Sequence, residues 1–154
     1  MPHLFRRISF SNQIQAPELI MKRGLLIIAG FFLITNYSFS QYSLTVEITG
    51  IRNNTGKIML QLFDEKEKVI DQQMSDIKDK KVTISVKDLM PGKYAVRFYQ
   101  DENLNGNMET NLAGKPVEGY GFSNNVTGRF GMPPFEKWLF DLSEDKTIVL
   151  KTVY

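Results

Sequence analysis

The stretch DENLNGNMETN, Asp101 to Asn111, gathers one Asp, two Glu and four Asn around a single Gly. Oxygen-bearing side chains recur at Asp101, Asn103 and Asn105, which are positions one, three and five of the loop pattern that wraps Ca2+. Gly106 falls at six, where such a loop bends sharply. Asn107 offers its carbonyl at seven and Glu109 stands at nine. Position twelve is Leu112, where a bidentate Glu should close the shell, so closure would need Asn111, Glu118 or water. With only Asp101 and Glu109 charged, affinity should be weak, roughly 10⁻⁴ to 10⁻³ M. The same residues also make Asx-turns and tolerate left-handed backbone with no ion at all. Both readings stand.

A second constellation, EGYGFSNNVTGRFG, carries Tyr120, Phe122, Asn124, Asn125 and Arg129. Aromatic faces stack on sugars or peptide side chains while amides and a guanidinium orient polar groups, so a carbohydrate- or peptide-binding surface is one reading. The other is packing, with the aromatics closing one end of a core and Arg129 paired to a loop carboxylate. A third possibility is a small hydrolase using Asp101, Glu102, Glu109 or Glu118. A hydrolytic pair needs a cleft that drives two carboxyl pKa values apart, and this short loop promises none. The expectation is therefore a protein that is not an enzyme and has no catalytic residues.

Composition narrows the chemistry further. There is no Cys, and the one His is His3. Disulfides, cysteine-ligated zinc, Cys nucleophiles and Ser-His-Asp triads are excluded from any domain downstream of it. Hard, oxygen-ligated cations remain.

The elements that would position these residues lie beyond a leader-like segment. From Met21 the chain reads MKRGLLIIAGFFLITNYSFSQ: Lys22 and Arg23, an apolar run from Leu25 to Ile34, and small residues at Ser38 and Ser40 before Gln41. This is the pattern of a signal peptide over residues 21–40, and the run is shorter than the roughly 20 apolar residues of a membrane span. Residues 1–20 precede the basic region and have no place in such a peptide, so they read as an over-extended start or an extension. Export to the periplasm, outer surface or medium is expected, with no stable membrane span in the mature chain. Residues 1–40 hold Arg6, Arg7, Lys22 and Arg23 against Glu18. Of 19 basic and 17 acidic residues, the chain from Gln41 therefore keeps 15 and 16. That balance leaves no electrostatic footprint for nucleic acid. The partner expected is an unknown protein or glycan of the envelope.

Residues 41–154 suffice for one domain with its own core. Period-two alternation dominates: Leu44, Val46 and Ile48 on one side, then Val82, Ile84 and Val86, then Tyr94, Val96 and Phe98. Asn53 to Gly56 supplies a turn, so the first strand and KIMLQLF read as a hairpin. Asp64 to Lys80 spaces Val69, Ile70, Met74 and Ile77 nearly as a helix would, and fits a short helix or a crossing loop. Pro91-Gly92 turns the chain into the strand that feeds the Asp101 loop. A strand is expected at Glu136 to Leu142, and KTIVLKTV is the last. About seven strands with turn signals between them argue an all-β fold, an antiparallel β-sandwich of immunoglobulin or transthyretin type.

The strings LTVEITGIRNNTGKIMLQLFD, DLMPGKYAVRFYQDEN and YQDENLNGNMETNLAGKPVEGYGFSNNVTGRFGMPPFEKWLFDL resemble the exported bacterial proteins grouped as domain-of-unknown-function family 2141. The likeness runs from Leu44 to about Val153. It implies a small secreted β-sandwich of Gram-negative bacteria, the Bacteroidetes among them, and no particular reaction. Met132, between Gly131 and Pro133, departs from the family's tighter Gly-Pro approach.

Overall fold

The computed structural model describes residues 40–128 and 131–154. The leader-like segment and Arg129 lie outside them. Eight strands are found among the described residues: β1 Tyr42–Thr49, β2 Lys57–Asp64, β3 Val69–Asp76, β4 Val82–Leu89, β5 Gly92–Asp101, β6 Tyr120–Phe122, β7 Phe140–Leu142 and β8 Lys146–Lys151. One sheet has the order β4-β1-β8. The other runs β3-β2-β5-β6, with β7 also pairing β5 beyond β6. The fold is all-β, and no helix among the described residues is long and apolar enough to cross a membrane.

Alternation decides what each sheet buries. Leu44, Val46 and Ile48 of β1, with Val82, Ile84 and Val86 of β4, enter the same apolar cluster as Ile58, Leu60 and Leu62 of β2 and Val96 and Phe98 of β5. Side chains from both sheets thus share one core, and each large aliphatic removed from water there contributes about 1.5–3 kcal/mol. A second, smaller cluster on the five-stranded sheet joins Phe63, Ala95, Phe122 and Trp138. The turn from β4 to β5 is fixed by Tyr94, whose hydroxyl donates to the Met90 carbonyl at 2.7 Å, across Pro91 and Gly92. Burial, and after it the charge of Asp64, raises the Tyr94 pKa.

Four sequence expectations need correction. Residues 69–76 are a strand, not a helix or crossing loop. Asp64 Oδ1 accepts the N–H groups of Lys66 and Lys68 at 2.9 and 3.0 Å. Glu67 takes a positive φ of 61°, so the chain reverses at once and pairs with β2. The helical spacing misleads because Val69, Ile70 and Met74 are exposed, while Asp71, Gln73 and Ser75 lie beside Leu62, Leu60 and Ile58. β1 and β2 do not form a hairpin. The seven residues Gly50 to Gly56 carry the chain from one sheet to the other, with Ile51 buried under the crossing. The closing strand is shorter than expected: Phe135–Lys137 is a 3₁₀ turn, and pairing begins at Phe140. Pairing is not wholly antiparallel either, since β8 runs parallel to β1 from Leu44↔Lys146 to Thr49↔Lys151.

Candidate functional site

β5 delivers Asp101 to the start of the loop with its side chain nearly sealed, 3% exposed. Its carboxylate accepts the loop's own backbone, Asn105 N at 3.0 Å on Oδ1 and Gly106 N at 2.8 Å on Oδ2. Asn103 Oδ1 also accepts Asn105 N, at 3.1 Å, and Asn105 Oδ1 accepts Asn107 N at 2.8 Å. The Asn103 and Asn105 bonds are successive Asx-turns, each a short polar side chain folding the backbone two residues on, while Asp101 reaches four and five residues ahead. Gly106 takes the positive φ expected of it, 78°, and Leu104 adopts one of 60° without glycine's freedom. The Tyr99 hydroxyl donates to the Gly106 carbonyl at 2.9 Å and ties the bend to the sheet. Burial, then the carboxylates of Asp101 and Glu118, raise the Tyr99 pKa against the opposing charge of Arg97.

Glu118 closes the structure. Also 3% exposed, it accepts Glu102 N at 2.9 Å through one oxygen and Glu109 N at 3.0 Å through the other. One buried carboxylate therefore joins the beginning and the end of the Asx-turn run. Glu109 receives the amides of Asn103 and Asn105 on Oε1, at 2.7 and 3.2 Å. The chain then makes a small hairpin: Val117 N donates to Glu109 O at 3.0 Å and Asn111 N to Lys115 O at 2.8 Å. Asn111 Oδ1 accepts Ala113 N and Lys115 N, and Leu112 stands fully exposed at the tip. The oxygens of Asp101, Asn103 and Asn105 are thus brought together by the loop's own N–H groups. Of the candidate closing ligands, Asn111 serves a turn of its own and Glu118 clamps the backbone at Glu102 and Glu109. Among the described residues no three His, Cys, Asp or Glu side chains converge as a metal-holding group.

The loop rests on a buried polar hub that sequence reasoning missed. Gln100, fully buried, donates from Nε2 to Asn53 Oδ1 and Thr55 O, both at 2.9 Å, and accepts the Tyr154 hydroxyl at 2.9 Å. Arg52 lies 4.7 Å over the Tyr154 ring and pairs with Glu102 at 2.6 Å. The signal for Gln100 was a polar residue on the inward parity of β5, between Phe98 and the loop.

The second constellation is divided. Phe122 is buried, its ring 4.3 Å from that of Trp138, and Tyr120 packs edge-on against it at 5.9 Å. Asn124 and Asn125 adopt positive φ of 61° and 53°. The Asn124 amide donates to Lys137 O and Leu139 O. That of Asn125 donates to Val149 O while its Oδ1 accepts Lys151 N. These amides knit the 3₁₀ turn Ser123–Asn125 to its neighbours. Trp138 Nε1, buried beneath it, has no hydrogen-bond partner among the described residues.

Two sheets around one core, with a self-capped acidic and amide-rich loop between β5 and β6, define a small all-β domain. The chain belongs to the family described as uncharacterized proteins conserved in bacteria, DUF2141, whose pattern it matches over residues 46–149. No curated protein matches it.

Proposed function

We propose that the protein is an exported, non-enzymatic binding module, a β-sandwich of immunoglobulin type whose 101–111 loop holds Ca2+ weakly. The neighbours β1-β4, β2-β5 and β2-β3 repeat the B-E, C-F and C-C′ pairs of that architecture, with β8 in the place of its A strand. Tyr94, at the start of β5 and bonded to Met90 O, has the position and the bond of the tyrosine corner. The observation that carries the loop reading is that the side-chain oxygens of Asp101, Asn103 and Asn105 turn into one bend already stiffened by Glu118. A hard cation would meet mostly neutral oxygens there, which places it in the roughly millimolar class. Non-catalysis is supported by the engagement of all four loop carboxylates: Asp101 and Glu118 on backbone N–H, Glu109 on amides, Glu102 on Arg52.

Thermal unfolding in EGTA and in graded Ca2+ tests the loop reading. A ligand held only by the folded state stabilises by about 2.7 kcal/mol at a hundredfold excess over its dissociation constant. The melting temperature should rise with Ca2+ in the parent and not in Glu109→Gln, which keeps the amide contacts but loses the charge. No rise at several times the expected dissociation constant would reduce the loop to a turn.

A further inference from the structure

The outer face of the five-stranded sheet, away from the shared core, carries an organised and half-covered surface. Cross-strand register sets Tyr120 opposite Tyr99, Tyr99 opposite Met59 and Met59 opposite Met74, one row across four strands. The next row runs from Phe122 through Arg97 and Gln61 to Gln72. Paired residues in antiparallel strands project to the same side, and neighbouring rows are two residues apart along each strand. Among the described residues, Val126, Phe135, Trp138 and Leu139 cover the part around Phe63, Ala95 and Phe122. Tyr99, Tyr120, Arg97 and Gln61 stay part-exposed, Gln72 is exposed, and Met74 is 57% exposed.

The polar row has a direction. Arg97 donates from Nε and Nη2 to Gln61 Oε1, and Gln61 Nε2 donates to Gln72 Oε1 at 3.0 Å. The Gln61 acceptor is consumed inside the row, which leaves the remaining guanidinium N–H groups and the Gln72 amide N–H groups without an acceptor among the described residues. The Arg97 guanidinium lies 5.4 Å over the Phe63 ring and has no ion pair among the described residues. The carboxylates of the flanking row are engaged elsewhere, Asp101 on loop N–H groups and Asp76 with Lys57 at 3.4 Å.

We propose that this face binds an acidic saccharide, a uronate-bearing glycan. The inference rests on the binding-module reading and names the ligand class; it uses different residues from the Ca2+ loop. The sugar's carboxylate answers the uncompensated charge of Arg97 in a bidentate pair. Its hydroxyl oxygens accept from Gln72, and its C–H face lies against Tyr99 and Tyr120. An apolar protein surface fits less well, because covering the face with it would bury the Arg97 charge without a partner.

Titration of the full chain with oligogalacturonate, with its methyl ester and with poly-glutamate, followed by calorimetry, tests this. Oligogalacturonate should bind, its methyl ester should bind at least about tenfold more weakly, and Arg97→Gln should lose about the same factor. Gln72→Ala, on the exposed edge and safe for folding, should weaken binding several-fold. Tyr99→Phe, which keeps the ring, should retain it. Equal affinity for acid and ester, or preference for poly-glutamate, would overturn the proposal. So would concentration-dependent dimers abolished by Met74→Lys, which would make the face a contact between copies. If none of the probes binds while Ca2+ still stabilises the protein, the glycan assignment alone falls.

Discussion

The carboxylate of Glu118 holds the backbone N–H of Glu109 at 3.0 Å while its other oxygen holds that of Glu102, so one side chain sets the width of the whole loop. Removing it leaves two part-buried backbone donors without their charged acceptor. Hydrogen bonds to charged groups are worth about 1.5–3 kcal/mol each. Glu118→Ala should destabilise the protein by about 3 kcal/mol in urea unfolding, and Glu118→Gln by less, since its amide oxygen can keep one bond. A loss under about 1 kcal/mol for the alanine variant would mean that the loop closes without the clamp.

Tyr94 should govern part of the alkaline limb of stability. Its pKa is raised in the folded protein, as is that of Tyr99, both chiefly by burial. A raised folded pKa means that the unfolded chain releases its proton first as pH climbs. The contribution is full below the ordinary tyrosine value near 10 and is lost above it. Unfolding free energy should fall from about pH 10 upward. Tyr94→Phe should lower stability near neutrality by about 1 kcal/mol, through the lost bond to Met90 O, and flatten that fall.

What could be read from the residues, and what could not, follows one physical division. The inward faces of β1, β4 and β5 were legible because burial on one side writes itself as alternation: Val46, Ile84 and Val96 are all in the core. β3 was not, because its strand state is imposed by β2 and by the Asp64 turn, while its own apolar residues face solvent. The sheet change between β1 and β2 was hidden for a related reason: Asn53 to Gly56 signals a turn but not which strand the turn will pair. In the loop, the bend at Gly106 and the roles of Asp101, Asn103 and Asn105 as turn-formers could be read. The clamp at Glu118 was foreseen only as a possible ligand, since its bonds depend on the hairpin at Val117 that returns it to Glu109. The Arg97-Gln61-Gln72 row depends wholly on register and has no mark in the linear chain.

Leu104 is held at a φ of 60° with 60% of its surface exposed. Left-handed backbone costs an ordinary L-residue about 1–2 kcal/mol, and Asn visits it more readily. Leu104→Asn should therefore raise stability by up to about 1 kcal/mol, read as a higher urea midpoint with unchanged slope. A decrease would indicate that the Leu104 side chain makes contacts that outweigh the backbone gain.

Gly56 and Gly106 separate backbone strain from crowding. Both have positive φ, 73° and 78°, so an added side chain strains each alike. At Gly106 a Cβ would meet nothing within 4 Å. At Gly56 it would lie 1.9 Å from the carbonyl oxygen of Asp101 and 2.6 Å from the Glu102 Cα, all of it backbone that cannot swing aside. Gly106→Ala should then cost only the conformational term, about 1–2 kcal/mol. Gly56→Ala adds overpacking and should cost about 3 kcal/mol or more. Because the crowded atoms belong to Asp101 and Glu102, the Gly56 variant should also expose the 101–111 loop to proteolysis under conditions where the Gly106 variant is protected. Equal losses in the two variants would show that the Gly50 to Gly56 crossing does not press on the root of the loop.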